Sequence, residues 1–239
     1  MFELSQDHED FRRLVREFAE GEIAPHVEQW DRDSHFPAHL VPQMGELGLF
    51  GLEAPEEFGG AGMGHEGFSY LCVAIEELGR VDQAMGITLE AGVGLGINPI
   101  QTYGSQEQKE RWLPDLVQGR ALAGFGLTEP EAGSDAGATR TRARLEDDQW
   151  VIDGAKAFIT NSGTDITSLV TITAVTGVRQ DGSKEISTII VPSGTPGFTV
   201  EPAYDKVGWR ASDTHPLSFD NCRVPHTNLL GERGRGYAN

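Results

Sequence analysis

The stretch Gly124-Phe125-Gly126-Leu127-Thr128-Glu129-Pro130-Glu131-Ala132-Gly133-Ser134-Asp135 decides how this chain is read. Up to Leu127 it is small and apolar, as a strand leaving a core is. From Thr128 it turns to hydroxyls, carboxylates and glycine. A strand that ends in such a loop can present backbone N–H groups and hydroxyls to an anionic or heterocyclic ligand. Pro130 removes a donor and holds Glu129 extended, so the loop has a set direction. Gly133 admits a positive φ or a close approach of backbone. The plainer reading, a strand followed by a polar turn, stands beside the binding reading at this point.

Upstream of this stretch the pattern is helical. Ser5 can cap a helix with Asp7 and Glu9 in its first turn, and Phe11, Leu14, Val15, Phe18 and Ile23 recur at helical spacing as far as about Glu22. A short helix is expected over 40–47, stopped by Gly48. The loop around Pro55, Gly59, Gly60 and Gly62 carries Glu53, Glu56 and Glu57, which argue against phosphate binding. In the next helix Phe68, Leu71, Cys72, Ile75 and Leu78 mark one face, with Gly79 as its expected C-cap. Asp82 can cap the helix after it. That helix carries Gly86, Gly92, Gly94 and Gly96, each costing about 1 kcal/mol relative to Ala in a helix interior. Close packing would explain these small residues, and so would a wall cleared for an apolar ligand. Ser105 and Gln108 have capping-box spacing at the head of a helix ending near Gly119.

From Ala121 the long helical periods stop. Short runs rich in Val, Ile, Thr and Phe predict strands over 123–127, 140–146, 150–154, 157–160, 168–175, 186–191, 198–202 and 217–219. Asp147-Asp148 and Asp181-Gly182 sit at hairpin positions. The expected class is α+β: an all-α N-terminal domain followed by a β-barrel-like or sandwich-like middle domain.

The net charge of −18 speaks against nucleic acid and anionic membranes as partners. No apolar run is long enough to span a bilayer, and the first residues lack the pattern of a signal or transit peptide, so a cytoplasmic protein is expected. The two cysteines, Cys72 and Cys222, read as buried or inert thiols. The seven histidines are scattered, and no metal site is assigned.

Three segments carry a family resemblance. The run from Gly126 to Ala138 resembles the first signature of the acyl-CoA dehydrogenases. Gly154-Ala155-Lys156-Ala157-Phe158-Ile159-Thr160-Asn161-Ser162-Gly163 resembles that family's second flavin-contacting strand. Phe219-Asp220-Asn221-Cys222-Arg223-Val224-Pro225, with Asn228-Leu229-Leu230-Gly231 behind it, resembles the exit from its β-domain. The matches come in the family's order and the resemblance covers residues 1–239.

The resemblance implies a helical domain over 1–120, a middle β-domain over 121–231, and at 232–239 the start of a linker to a C-terminal helical bundle that this sequence lacks. It implies FAD as cofactor, with Phe125, Leu127 and Thr128 at the flavin ring edge. Gly133 and Ser134 would lie toward the pyrophosphate, Ser134 also touching the substrate's CoA arm. Phe158, Ile159 and Thr160 would stand on the ring's other side. Many members carry Trp where this chain has Phe158, and Phe lacks the indole N–H.

The implied reaction is α,β-dehydrogenation of an acyl-CoA thioester to the 2-enoyl-CoA in fatty acid metabolism. A carboxylate takes the α-proton, hydride goes to FAD, and an electron-transfer flavoprotein receives the electrons. In the family the carboxylate lies in the bundle, so no catalytic residue is assigned here, Glu129 included. Lys156 and Arg210 have the charge to meet CoA phosphates, but neither is assigned. The implied assembly is a homotetramer, a dimer of dimers, or a pairing with a bundle-bearing subunit. Two other readings stay open: a short non-catalytic subunit binding flavin or acyl-CoA, and an acyl-CoA oxidase or flavin monooxygenase of the same fold.

Overall fold

The computed structural model describes residues 3–237. Helix α1 (Gln6–Phe18) begins as its cap predicts: the Ser5 hydroxyl accepts from the His8 N–H, and Asp7 and Glu9 occupy the first turn. The helix then widens into a π-helical turn, Ala19–Ile23, which buries Ala19 and Ile23. After Pro25 come α2 (Val27–Asp33) and α3 (Leu40–Glu46), and Gly48 follows α3 with φ 75°.

Helix α4 (Gly67–Val81) corrects two expectations. It runs straight through Gly79 and stops at Asp82, whose carboxylate accepts from the Ala84 N–H at 2.9 Å and starts α5 (Gln83–Glu90). Gly79 instead provides room for α5: a Cβ on Gly86 would lie 3.4 Å from the Gly79 Cα. The buried face of α4 is Leu71, Ala74 and Leu78 together with Glu77, while Phe68 and Cys72 point outward. The face turns because Glu77 docks on α1, with Arg12 at 2.9 Å and Arg16 at 2.8 Å.

Only one cysteine is therefore sequestered. Cys222 is fully buried, and burial reinforced by Asp153 pushes its thiol up to about 11. One equivalent of thiol should react with dithionitrobenzoate in the native protein and the second only on unfolding. Cys72→Ser should remove the first; two fast equivalents would contradict the packing around Cys222.

A second π-helical segment, Ala91–Ile97, follows α5 and leads into α6 (Asn98–Tyr103). Its glycines bring it against the first strand, β1 (Leu122–Gly126). A methyl on Gly92 would overlap the Phe50 ring, and one on Gly96 would press on Ala123. Helix α7 (Gln106–Val117) has the full capping box between Ser105 and Gln108, and Gly119 follows with φ 64°.

The remaining strands are β2 (Arg142–Glu146), β3 (Gln149–Thr160), β4 (Thr167–Val178), β5 (Lys184–Pro192), β6 (Phe198–Val200), β7 (Thr214–Pro225) and β8 (Leu229–Leu230). Asp147 and Asp148, both at positive φ, close the β2–β3 hairpin, and Gly182 lies in the β4–β5 connection. The sheet runs β6-β7-β3-β2-β4-β5-β8, with β1 parallel to β4. Its end strands β6 and β8 do not pair, so it is not a closed barrel.

The two halves of the sheet meet at one residue pair, Arg142 with Val175. They fold over a common core in which Ala143, Trp150 and Ile152 from one half meet Val170, Ile172 and Ile189 from the other. That is the sandwich-like alternative. The segments predicted at 150–154 and 157–160 are one strand, bent by register shifts against β7 at 152–154 and 156–159. Residues 233–236 lie along the sheet: Arg233 bonds Glu185 and the Thr176 carbonyl, and the Gly236 N–H bonds the Ile186 carbonyl. Ala238 and Asn239 lie outside the described residues.

Candidate functional site

The end of β1 and the bent half of β3 build one wall. The Ala157 N–H donates to the Thr128 carbonyl at 2.9 Å, which sets the head of the polar loop beside the β3 bulge. Within that bulge Phe158 adopts φ 60° and is 64% exposed; its ring stacks on Tyr204, centroids 4.7 Å apart. A phenylalanine held outward in the left-handed region is uncommon, and such strain concentrates at ligand sites.

Below it the chain turns sharply. Asn161, at φ 58°, donates from Nδ2 to the Thr88 carbonyl at 3.1 Å and from its backbone to the Asp213 carbonyl at 3.2 Å. The Gly163 N–H donates to Asp213 Oδ2, whose other oxygen meets His215 Nε2 at 2.9 Å. The Asp213 carboxylate raises the His215 imidazole above its ordinary value, against the effect of burial. The turn carrying Ile159 and Thr160 is thus fixed from both the helical and the sheet sides.

These elements enclose a cavity of about 230 Å³. Phe125, Leu127, Thr128, Phe158, Ile159 and Thr160 line it, so six of the eight predicted site residues come together. Gly133 and Ser134 do not; they lie on the exposed part of the loop. Gly133 has neither a positive φ nor a crowded Cβ position, since a methyl there would meet nothing within 4 Å. The lining missed by sequence reasoning is Ala123 of β1 together with Ala91 and Leu95, the last two supplied by the small-residue helix whose glycines were the available signal. Leu95 and Phe125 also border a neighbouring cavity of about 350 Å³, which Gly94 lines with them. The small residues therefore serve both readings: Gly92 and Gly96 permit close packing, and Gly94 lines the cavity, where a Cβ would press only on the Glu90 carboxylate, at 3.1 Å.

The loop is held from inside. The buried Glu129 carboxylate accepts from the Arg140 N–H at 2.6 Å, the Thr141 N–H at 3.0 Å, the Thr139 hydroxyl and Lys156 Nζ at 2.8 Å. Burial alone would raise this carboxyl, but Lys156, Thr139 and the Arg140 N–H outweigh it and bring it down to about 2. Lys156 is itself buried, which lowers its ammonium pKa while Glu129 opposes. Lys156 is thus a core residue with no access to a ligand phosphate. Arg210 is likewise committed, bonding the Asp31 carbonyl at 2.9 Å and the Lys206 carbonyl at 3.0 Å.

The cavity combines an apolar slot with two hydroxyls, of Thr128 and Thr160, that bond no other side chain among the described residues. That donor set, the exposed aromatic face of Phe158 and the apolar side chains of Leu127 and Ile159 fit the edge of a flat heterocycle such as a flavin ring.

Known proteins share this fold. The family model for the acyl-CoA dehydrogenase N-terminal domain matches residues 5–120, and that for the middle domain matches 124–222. The chain is 45% identical over 236 residues to the probable acyl-CoA dehydrogenase YngJ of Bacillus subtilis, covering 99% of this chain and 61% of that one. It superposes on butyryl-CoA dehydrogenase of Megasphaera elsdenii with TM-score 0.92 and 37% identity, over 100% of this chain and 62% of that one. An acyl-CoA dehydrogenase of Bacillus anthracis solved with FAD gives TM-score 0.88 and 33% identity, over 99% of this chain and 40% of that one. The chain thus spans about three fifths of the length of the YngJ and M. elsdenii proteins. With helical and sheet regions both matched in order, it belongs to the acyl-CoA dehydrogenase family.

Proposed function

We propose that this chain is the helical and sheet portion of a flavin-dependent acyl-CoA dehydrogenase. The observation that carries the reading is the convergence of Leu127, Thr128, Phe158, Ile159 and Thr160 on one cavity beside the polar loop. FAD, when bound, would accept a hydride equivalent from the β-carbon of the acyl thioester. The chain's own residues hold and shape that site. Thr128 and Thr160 offer hydroxyls to the ring edge, and Phe158 covers a ring face. Gly133 and Ser134 stand clear of the cavity, where a pyrophosphate or the CoA arm can approach them. The adjoining cavity, lined by Gly94, Leu95 and Phe125, lies where a short acyl group would enter.

None of the residues lining the flavin-side cavity is titratable. Removal of the α-proton therefore needs a carboxylate from outside this lining, and Glu129 is consumed by the Lys156 network. We place the protein in the cytoplasm as a homotetramer that passes electrons to an electron-transfer flavoprotein, as the bacterial relative and the family pattern suggest.

The test is flavin affinity. The chain should bind FAD with quenching of flavin fluorescence, and Phe158→Ala should weaken binding about tenfold, matching the roughly 1–1.5 kcal/mol of an aromatic contact. Thr128→Val should shift the visible absorption of bound flavin without unfolding the chain. Binding unchanged by both substitutions would place the flavin elsewhere.

A further inference from the structure

His215 does not line the flavin-side cavity, yet both of its ring nitrogens are engaged behind the cavity's wall. Nδ1 meets the Glu201 carbonyl at 2.7 Å and Nε2 meets Asp213 Oδ1 at 2.9 Å. A carbonyl oxygen can only accept, so Nδ1 carries a proton. The other oxygen of Asp213 accepts from the Gly163 N–H at 2.9 Å, which favours the ionised carboxylate, so Nε2 carries a proton too. A ring that donates from both nitrogens is an imidazolium; a neutral ring would give up one of the two bonds. Of the groups facing it, Asp213 favours the charge and Lys206, bonded to the Thr214 hydroxyl at 2.9 Å and to the Ser212 carbonyl, opposes it. The Glu201 carboxylate is turned to the Ser218 hydroxyl at 2.6 Å, and the turn 159–163 packed on the ring brings no titratable group.

Each bond of the ring ends on a segment that shapes the cavity. His215 pairs with Ile159 across β3 and β7, and a methyl on Gly163 would overlap its ring. Asp213 holds the Gly163 N–H with its carboxylate and the Asn161 N–H with its carbonyl, so the turn behind Ile159 and Thr160 hangs on this pair. Glu201 begins the segment leading to Tyr204, whose N–H donates to the Thr214 carbonyl at 3.2 Å and whose ring stacks on Phe158. We infer that His215 is a positioning residue for the flavin site: its imidazolium clasps the turn behind Ile159 and Thr160 to the segment carrying Tyr204, and loss of its proton loosens both and weakens flavin binding. The occupant rests on the dehydrogenase reading above; the clasp itself does not. The direction follows from linkage. Asp213 lifts the ring above its ordinary value, with burial opposing. A group whose folded pKa lies above its unfolded one, about 6.5 for histidine, contributes in full below that value and loses the contribution as pH rises through the folded value. The clasp therefore opens on the alkaline side.

The experiment takes the 239-residue chain from about pH 6 to about pH 9, reading the His215 ring by NMR and FAD affinity by fluorescence quenching. The ring should be charged at the acid end. FAD affinity should then fall about tenfold with the same midpoint as the ring, the loss of one charge-assisted hydrogen bond. Asp213→Asn should move both midpoints together to lower pH. His215→Gln should hold the affinity near the parent's alkaline value across the whole range; if it does not fold, the parent and Asp213→Asn carry the comparison. A histidine with a merely structural role would not give affinity and ring a shared midpoint. A ring already neutral at the acid end would overturn the inference, as would an affinity profile that ignores the ring's midpoint or persists in His215→Gln. Failure to bind FAD at any pH would remove the dehydrogenase reading and leave the clasp to be judged by amide exchange. Protection of the Gly163 and Asn161 N–H groups should drop across the ring's midpoint. Protection indifferent to the ring would overturn the clasp even where FAD binds.

Discussion

Lys156→Met should destabilise the protein by about 3–5 kcal/mol, the cost of leaving one member of a buried ion pair without its partner. Both charged groups are almost fully buried, and the carboxylate left behind would keep only Thr139 and the two backbone N–H groups of Arg140 and Thr141. Chemical denaturation should show the midpoint falling with little change in slope. The loop should respond more than the core: cleavage between residues 130 and 139 by a nonspecific protease should accelerate, because Glu129 fastens both ends of that segment. The double substitution Glu129→Gln with Lys156→Met should recover part of the loss, since it removes both charges. A Lys156→Met protein as stable as the parent, or a double variant less stable than either single one, would contradict this account of the loop.

Glu77→Ala should have the next largest effect, about 2–3 kcal/mol, discounted because its three partners are partly solvated. The Glu77 side chain is 2% exposed, whereas those of Arg12, Arg16 and Arg80 are 19–45% exposed. Arg16 leads the effects that bring this carboxyl down to about 2, with burial opposing and Arg12 and Arg80 assisting. The pH dependence follows in sign. Glu77 and Glu129 both have folded pKa values below their unfolded ones, so their contribution is complete above about pH 4.5 and is lost as pH falls toward 2. Each accounts for about 3 kcal/mol across that window. The parent should therefore unfold steeply in acid, and Glu77→Ala should show a shallower acid slope along with its lower stability at neutral pH. An acid slope identical to the parent's would show that Glu77 does not titrate against its arginines.

Much of this was legible because it is local chemistry. Ser5, Asp82 and Ser105 cap helices through atoms two or three residues away, and Asp147-Asp148 makes its turn within the dipeptide. Phe125 to Thr128 and Phe158 to Thr160 were found through a family pattern and then met across one cavity. The features that escaped depend on distant partners. The bulge that turns Phe158 outward is set by register with β7, 56 or more residues later. Lys156 reads as a surface cation until Glu129 and Thr173 are folded around it. The outward placement of Phe68 and Cys72 follows from Glu77 seeking the arginines of α1, a choice the apolar spacing of α4 does not contain. Ala91 and Leu95 lacked any individual mark, and only the helix around them drew attention.

Gln108 sits in the first turn of α7, yet its amide reaches the carbonyls of Thr227 and Leu229 at 2.8 and 2.9 Å, 119 and 121 residues along the chain. Around it, Leu113 and Ile100 share a core with Leu122, Leu169, Ile190 and Leu230. The seam near residue 120, where one family model ends and the next begins, is therefore a boundary of ancestry and not of thermodynamics. Amide hydrogen exchange in α7 and in β5 should proceed through the same global opening. A fragment cut at that seam would lose a shared interior, so the helical and sheet regions should melt in a single transition.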